Sequence, residues 1–503
     1  MGGPAHTATS RAQLRRDGLA RPPVGPTCRE EVAPEPREAQ HAQLYVRNAR
    51  YNAAKTCANV RPKHAMKCGQ NMRYNSFMCY FFLEREGKCT GRVFLIAASN
   101  LHCEPRVLID GVRASGKTQT GCHHAASVVI LDDGSPSVAA ALQVDPRLLL
   151  EGETPRLVDE WQLAPELWNT ARHEIDRRGM KGQFIFTGSS VPASDAVRHS
   201  GAHRFVRLRM RPMTLEERGL GVGTVSLGGL FDGDLPTPAL TSPMDVPTML
   251  SALVHGGWPA DLDVAEKDAQ RNLRAYLEDV AVSDIARLDD EPRRNPRTVT
   301  ALLRSLARNL SSELKLTTIA ADMRGVGDIQ PRTVSGYIGS LERIFLVEEQ
   351  DAWSPQIRSK TAIRSASKIH FVDPALAAAA LGASSRQLLA DLNTAGLWFE
   401  SMVVQHLRTY MQELGGHVMH YRDKAGREVD VVVELPDGRW GVIEVKLGQP
   451  AIPAGAKSLM RFLEVVDDER MGAPSFAAVV TADGPTMTLE GGVTTFSLAA
   501  LTA

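Results

Sequence analysis

The residues best suited to chemistry form one short loop. Residues 111–118 read Gly-Val-Arg-Ala-Ser-Gly-Lys-Thr and match the pattern G-x-x-x-x-G-K-[ST] without departure. In this pattern backbone N–H groups close around phosphate oxygens, Lys117 places a cation on the β and γ phosphates, and Thr118 offers its hydroxyl to Mg²⁺. The loop therefore predicts a site for ATP and Mg²⁺. Its candidate binding residues are Gly111, Ser115, Gly116, Lys117 and Thr118.

Two apolar runs downstream end in side chains that could complete this site. The first ends in Asp159 and Glu160, where Asp159 can hold the Mg²⁺ shell and Glu160 can polarise the attacking water. The second ends in a Thr-Gly-Ser-Ser turn, in which Thr187 and Ser189 can reach the γ-phosphate or the water. An isolated Asp-Glu pair is usually a solvated strand end, but the upstream loop favours a catalytic role.

An arginine that neutralises charge in the transition state would be the last part of such a site. Arg198 and Arg204 lie in the loop that follows, and either could equally be a surface side chain. We take Arg204 as the candidate catalytic residue, and the sequence leaves the choice between the two open.

A second set of candidates lies near the C-terminus. Glu400 is in a helical stretch, Asp430 is in a strand, and Glu444 and Lys446 are on the strand that returns after a Pro-Asp-Gly turn. Alternation along a strand places Glu444 and Lys446 on the same face. This order resembles the restriction-endonuclease-like fold. The resemblance implies that Asp430 and Glu444 bind Mg²⁺ and that Lys446 steadies the attacking water in metal-assisted phosphodiester hydrolysis. The alternative is a surface ion pair in a domain used only for binding.

Short apolar runs alternate with helical stretches around the first site. The runs are residues 107–109, 128–131, 156–158, 184–186 and 205–208. This alternation is typical of a parallel sheet covered by helices, and it predicts an α/β nucleotide-binding domain.

The middle of the chain has a different pattern. Residues 219–247 are rich in Gly and Pro and indicate a linker or a long excursion, and a mainly helical region follows. Residues 316–353 read as helix, turn, helix and strand, which is the outline of a winged helix. Side chains that could contact DNA phosphates are Arg332, Thr333, Ser335, Tyr337 and Arg343, with Arg293, Arg294, Arg297, Arg304 and Arg308 upstream. A charge run is more often a solvated face.

The composition limits the class of protein. Lys plus Arg (58) equals Asp plus Glu (58), so no overall basic charge indicates nucleic acid. No stretch is apolar enough to span a membrane, and the sequence predicts a cytoplasmic protein. All seven cysteines lie in the first quarter without a C-x-x-C pair, which favours ordinary thiols over a zinc site.

Several of these segments together resemble the bacterial and archaeal AAA-type ATPases that carry a C-terminal domain of unknown function. They are residues 157–166, 187–190, 207–213, 256–259 and 371–374, with the Glu-Val-Asp and Glu-Val-Lys strands. The resemblance covers about residue 106 to the end. Residues 1–95 lie outside the resemblance, and since they show no sustained period of 2 or 3.6 we expect a poorly structured segment of unknown role there. The rest of the chain is predicted to contain an AAA-type P-loop ATPase domain (96–220), a linker with a helical and winged-helix region (221–375), and a restriction-endonuclease-like α/β domain (376–503).

The predicted function is ATP hydrolysis with Mg²⁺, coupled to DNA binding or DNA processing through the C-terminal domain. A second hypothesis is a nucleotide-gated binding or scaffold protein, in which an inactive nuclease-like domain docks a protein partner. The sequence also leaves a homo-oligomer open. A small-molecule kinase would also use a P-loop, but it gives no reason for the C-terminal hairpin.

Overall fold

The computed structural model describes residues 106–191, 205–288, 294–354, 366–464, 466 and 472–503. Four predictions lie outside the described residues: those for the segment 1–95 and for Arg198, Arg204 and Arg293. Within the described ranges no helix combines the length and the apolar character that crossing a membrane requires.

A five-stranded parallel sheet forms the first domain. Its strands are β1 (Arg106–Gly111), β2 (Ser127–Ile130), β3 (Arg156–Asp159), β4 (Phe184–Gly188) and β5 (Val206–Met210), in the order β2-β3-β4-β1-β5. The helices are α1 (Lys117–His124), α2 (Pro136–Val144) and α3 (Glu166–Arg178). The predicted α/β fold with a parallel sheet is confirmed for this domain.

The apolar runs form this sheet because both of its faces are covered. Leu108 and Phe186 pack in one cluster with Trp168 of α3, whereas Val107 and Ile109 belong to a cluster on the other side. Side chains of one strand alternate between the faces, so a strand buried on both faces is apolar throughout. The parallel order also brings the C-terminal ends of β1, β3 and β4 to one edge.

A mainly helical region follows. Its helices are α4 (Leu227–Asp232), α5 (Val246–His255), α6 (Glu266–Asp279), α7 (Ile285–Leu288), α8 (Pro296–Arg308), α9 (Leu316–Asp322) and α10 (Pro331–Arg343). A π-helical turn, Val280–Asp284, joins α6 to α7. The strands are β6 (Val225–Ser226), β7 (Val347–Gln350) and β8 (Lys368–Phe371), and β7 pairs antiparallel with β8. Helix, turn, helix and strand thus occur in the predicted order from α9 to β7, while the winged-helix assignment stays a prediction.

The C-terminal domain is built on a six-stranded mixed sheet. Its helices are α11 (Ala375–Leu381), α12 (Ser385–Ala390), α13 (Leu392–Leu414) and α14 (Ile452–Leu463). The strands are β9 (His417–Arg422), β10 (Glu428–Glu434), β11 (Trp440–Lys446), β12 (Phe476–Thr481), β13 (Met487–Thr488), β14 (Thr494–Ser497) and β15 (Leu501–Thr502). The sheet order is β13-β14-β12-β11-β10-β9, and β15 lies outside it. Strands β9, β10 and β11 are antiparallel neighbours, and β11 and β12 are parallel.

The Gly- and Pro-rich stretch is more ordered than a plain linker. Within it β6 pairs in parallel with β15, with Val225 opposite Leu501. The side chains of Leu227, Leu230 and Phe231 are buried. Since these apolar residues pack into the main core, the stretch is anchored to the C-terminal domain.

Candidate functional site

Glycines shape the loop between β1 and α1. Gly111 has φ 151° and Gly116 has φ 101°, a region of backbone space that favours glycine. A Cβ atom at residue 111 would also collide with the carbonyl oxygen of Met210. The loop can therefore turn sharply and present the N-terminus of α1, as phosphate binding requires.

Lys117 is held inside this loop. Its side chain is buried, and Nζ donates a hydrogen bond to the carbonyl oxygen of Val112 at 2.7 Å. Burial lowers the pKa of Lys117 to about 8, although nearby Glu160 and Asp159 counteract that effect. The ammonium group is thus held inside the loop that the pattern predicts to bind phosphates.

Two hydroxyls converge on Asp159 at the end of β3. Thr118 Oγ1 donates to Asp159 Oδ1 at 2.9 Å, and Thr187 Oγ1 at the end of β4 donates to the same oxygen. Burial raises the pKa of Asp159, while the hydrogen bonds from Thr187 and Thr118 act in the opposite direction. Thr118 and Asp159 therefore fit the donor set for a Mg²⁺ ion that also binds phosphate oxygens.

Glu160 is fixed by two neighbours. Ser189 Oγ donates to Glu160 Oε2 at 2.8 Å. Gln162 Nε2 donates to the same oxygen and, at 3.1 Å, to Ser189 Oγ. Sequence reasoning missed Gln162, because no motif requires an amide at that position. The pair Glu160 and Ser189, predicted from separate strands, is brought together at one edge of the sheet.

The helical region contacts the phosphate-binding loop. Arg113, a variable position of the motif, donates to Asp284 Oδ1 at 3.0 Å and to Asp279 Oδ2 at 3.2 Å. Its guanidinium also lies 5.2 Å from the ring centre of Tyr276 on α6. These contacts were not predicted from the sequence, since their partners lie far along the chain.

A buried carboxylate joins the three described regions. Glu348 on β7 accepts hydrogen bonds from Arg211 at 3.0 Å and from Arg408 of α13 at 3.1 Å. Burial alone would raise the pKa of Glu348, but Arg211 and Arg408 outweigh burial and hold it at about 2. Beside it, Arg209 on β5 pairs with Asp110 at 2.6 Å, directly before the loop.

The C-terminal candidates lie close together but are already bonded. Lys446 Nζ is 2.8 Å from Glu444 Oε1 and 4.0 Å from Asp430 Oδ2. Asp430 Oδ2 also accepts the backbone N–H of Val445 at 2.8 Å, whereas Glu444 Oε2 is buried without a hydrogen-bond partner. Burial, and to a lesser extent the charge of Asp430, raises the pKa of Glu444 to about 7.

Glu400 is bonded to a lysine that the sequence did not suggest. Lys368 Nζ lies 2.9 Å from Glu400 Oε1 and 2.9 Å from Glu428 Oε1. Burial, and to a lesser extent the charge of Asp430, raises the pKa of Glu400 to about 8. The ammonium group of Lys368 acts to lower it. Among the described residues, no group of three or more His, Cys, Asp or Glu is arranged to hold a metal ion. The C-terminal acids therefore do not fit a divalent metal as they stand, and metal binding by Asp430 and Glu444 stays a prediction.

Three segments match known families. Residues 104–218 match a family described as an AAA domain. The first domain therefore resembles an AAA domain, in agreement with its P-loop pattern. Residues 248–387 and 395–501 match two domains of unknown function, DUF8612 and DUF4143.

Two mycobacterial proteins are similar to this chain over most of its length. Uncharacterized proteins of Mycobacterium bovis and Mycobacterium tuberculosis are each 24% identical over 369 residues, which is 73% of this chain and 76% of theirs. A Walker-type ATPase of Pyrococcus abyssi is 14% identical with a TM-score of 0.36, over 58% of this chain and 95% of that one. Drosophila ORC bound to DNA is 11% identical with a TM-score of 0.20, over 58% of this chain and 94% of that one.

Proposed function

We propose that this chain hydrolyses ATP with Mg²⁺ and couples the nucleotide cycle to DNA binding through the region from α8 to β8. The observation that carries the proposal is the meeting of three strand ends at one edge. There Thr118 and Thr187 both bond to Asp159, and Ser189 bonds to Glu160. Positioning and charge neutralisation are what phosphoryl transfer requires of a protein.

The residues of the chain divide the work of hydrolysis. Lys117 binds the β and γ phosphates, and the N–H groups at the start of α1 hold their oxygens. A Mg²⁺ ion held through Thr118 and the shell of Asp159 would neutralise phosphate charge. Glu160 Oε2 orients the attacking water and accepts its proton, while Ser189 keeps that carboxylate in place. Arg204 stays the predicted arginine that neutralises charge in the transition state.

Exposed arginines of α8 support the DNA part of the proposal. Arg297, Arg304 and Arg308 are exposed, and their spacing places them along one face of the helix. They line a groove of about 590 Å³. Contacts from such side chains to phosphates give affinity without reading sequence.

The order of elements in the C-terminal domain supports a restriction-endonuclease-like fold. Helix α13 is followed by the antiparallel strands β9, β10 and β11, then by α14 and the parallel strand β12. Glu400, Asp430 and Glu444 come from the first helix and the central strands of this order. The ion pairs of Lys368 with Glu400 and of Lys446 with Glu444 favour the second hypothesis, in which this domain binds a protein partner and does not cleave DNA.

One experiment tests the whole proposal. The purified chain is incubated with Mg²⁺, ATP and duplex DNA, and both phosphate release and strand integrity are followed. We expect phosphate release that DNA stimulates and that Lys117→Ala abolishes, because no neighbouring side chain replaces that cation. Equal turnover in native and Lys117→Ala protein would reject the ATP site. Turnover unaffected by DNA, together with no DNA binding, would reject the coupling alone.

A further inference from the structure

One lysine is buried among acids of the C-terminal domain. Lys368, on β8, is 3% exposed, and its ammonium lies 2.9 Å from Glu400 Oε1 and 2.9 Å from Glu428 Oε1. Glu400 comes from α13 and Glu428 from β10. The lysine thus reaches across from the helical region and bridges two elements of the C-terminal domain.

The acids around this ammonium form what we term the acidic cluster: Glu400, Glu428, Asp430 and Glu444. Burial lowers the pKa of Lys368, but the charges of Glu400, Asp430 and Glu428 outweigh burial and raise that pKa above its usual value. Lys446 pairs with Glu444 on the other side of Asp430. Two protein ammonium groups, together with the Arg422 guanidinium that lies 3.9 Å from Glu428 Oε2, therefore face four carboxyl groups.

An ammonium and a divalent ion compete for the same place in such a cluster. Mg²⁺ needs oxygens at about 2.0–2.1 Å in a near-octahedral shell, so it must draw carboxylates together. A lysine accepts longer contacts and forms them with a single charge. With Lys368 between Glu400 and Glu428, a second cation would meet repulsion as well as occupied oxygens.

A cavity leads to this position. It has a volume of about 530 Å³, and its lining includes Lys315, Lys368, Glu400, Glu428 and Asp430. A hydrated ion could reach the cluster through it, so access does not limit metal binding. Metal binding is limited by Lys368, which already pairs with Glu400 and Glu428.

We propose that Lys368 is a built-in counter-ion that takes the place of a divalent metal in the acidic cluster, and that removing its charge creates a site for Mn²⁺ or Mg²⁺ at Glu400, Glu428 and Asp430. This inference goes beyond the proposed ATP hydrolysis and does not depend on it. It explains why the acids expected of a nuclease are present without the geometry of a metal site.

The test measures Mn²⁺ binding to the full chain by the loss of the free-ion signal in electron paramagnetic resonance. Native protein, Lys368→Met and Lys315→Met are compared, each also carrying Asp159→Asn to reduce binding at the ATP site. We expect the Lys368→Met protein to bind one more equivalent of Mn²⁺ than the protein that retains Lys368. Lys315→Met, which lines the same cavity but leaves the acidic cluster paired, should match the native protein. Adding Asp430→Asn to Lys368→Met should remove the extra equivalent.

Thermal melting gives a second measurement that does not rely on activity. Lys368→Met leaves buried acids without a counter-ion, so its melting temperature should fall, and Mn²⁺ should restore it while leaving the native protein unchanged. Lys368→Arg keeps the charge and should show neither effect. The proposal is overturned if native protein binds Mn²⁺ in a way that Asp430→Asn abolishes. It is equally overturned if Lys368→Met gains no equivalent, or stays unfolded even when it is refolded with Mn²⁺.

Discussion

His406 on α13 accepts a hydrogen bond at Nε2 from the backbone N–H of Leu215, at 2.8 Å. Its Nδ1 lies 2.8 Å from the carbonyl oxygen of Met402, so Nδ1 carries the proton and the ring is neutral. A second proton would place an N–H at Nε2 against the N–H of Leu215. Burial lowers the pKa of His406 to about 4, although the bond to Met402 acts to raise it.

This geometry predicts a loss of stability in mild acid. The pKa falls from 6.5 in the unfolded chain to about 4 in the folded one, so between these values the unfolded chain binds the extra proton. The free energy of unfolding should therefore decrease as pH falls from 6.5 towards 4, by about 2 kcal/mol at pH 5. Urea unfolding at pH 7.5 and pH 5 measures it. His406→Gln keeps an acceptor for Leu215 but does not titrate, and its decrease should be smaller by that amount. An identical decrease in both proteins would contradict the assignment.

Changing Glu160 should separate ATP binding from ATP hydrolysis. Glu160→Gln keeps the shape of the side chain but removes the base, so turnover should fall by about 100-fold or more. ATP affinity should change little, because Lys117 and the loop are intact. Equilibrium binding and steady-state phosphate release measure the two effects. Glu151→Gln, an exposed change outside the site, is the control. Wild-type turnover in Glu160→Gln would assign the base elsewhere.

Arg113 is expected to support the loop from the helical side. Arg113→Ala removes the contacts with Asp279 and Asp284, so the loop becomes less preorganised for phosphate. Since the arginine is 37% exposed, the effect should be modest, about fivefold in ATP affinity. The matched control is Arg271→Ala, which breaks a surface pair with Asp268 on α6 and should leave affinity unchanged. Equal affinities for the two variants would show that the contact is unimportant.

The arrangement of the proposed ATP site is predictable from sequence because its parts follow local patterns. Lys117 and Thr118 belong to one contiguous motif, and Asp159 and Thr187 each end an apolar run. A parallel sheet brings the ends of such runs to the same edge, which is where both threonines bond to Asp159.

The contacts between regions are not predictable in this way. Arg113 and Asp284 are 171 positions apart, and Arg211 and Glu348 are 137 apart. Neither pair has a spacing that a helix or strand period would reveal. Lys368 likewise gives no signal in the sequence, because a single lysine in a short strand normally faces solvent. Only the packing of β8 against α13 and β10 brings it to its acids.

Binding of DNA through α8 should depend on salt through its arginines. Each phosphate contact releases counter-ions and contributes about 0.9 to the slope of log affinity against log salt. Arg304→Ala should therefore weaken binding to any duplex sequence and reduce that slope by about 1. Fluorescence anisotropy with a labelled duplex, between about 50 and 200 mM salt, measures the slope. Arg386→Ala, which removes an exposed arginine on α12, is the matched control and should leave the slope unchanged. If both variants shift the slope equally, the attraction comes from the overall charge of the chain and the α8 surface has no special role.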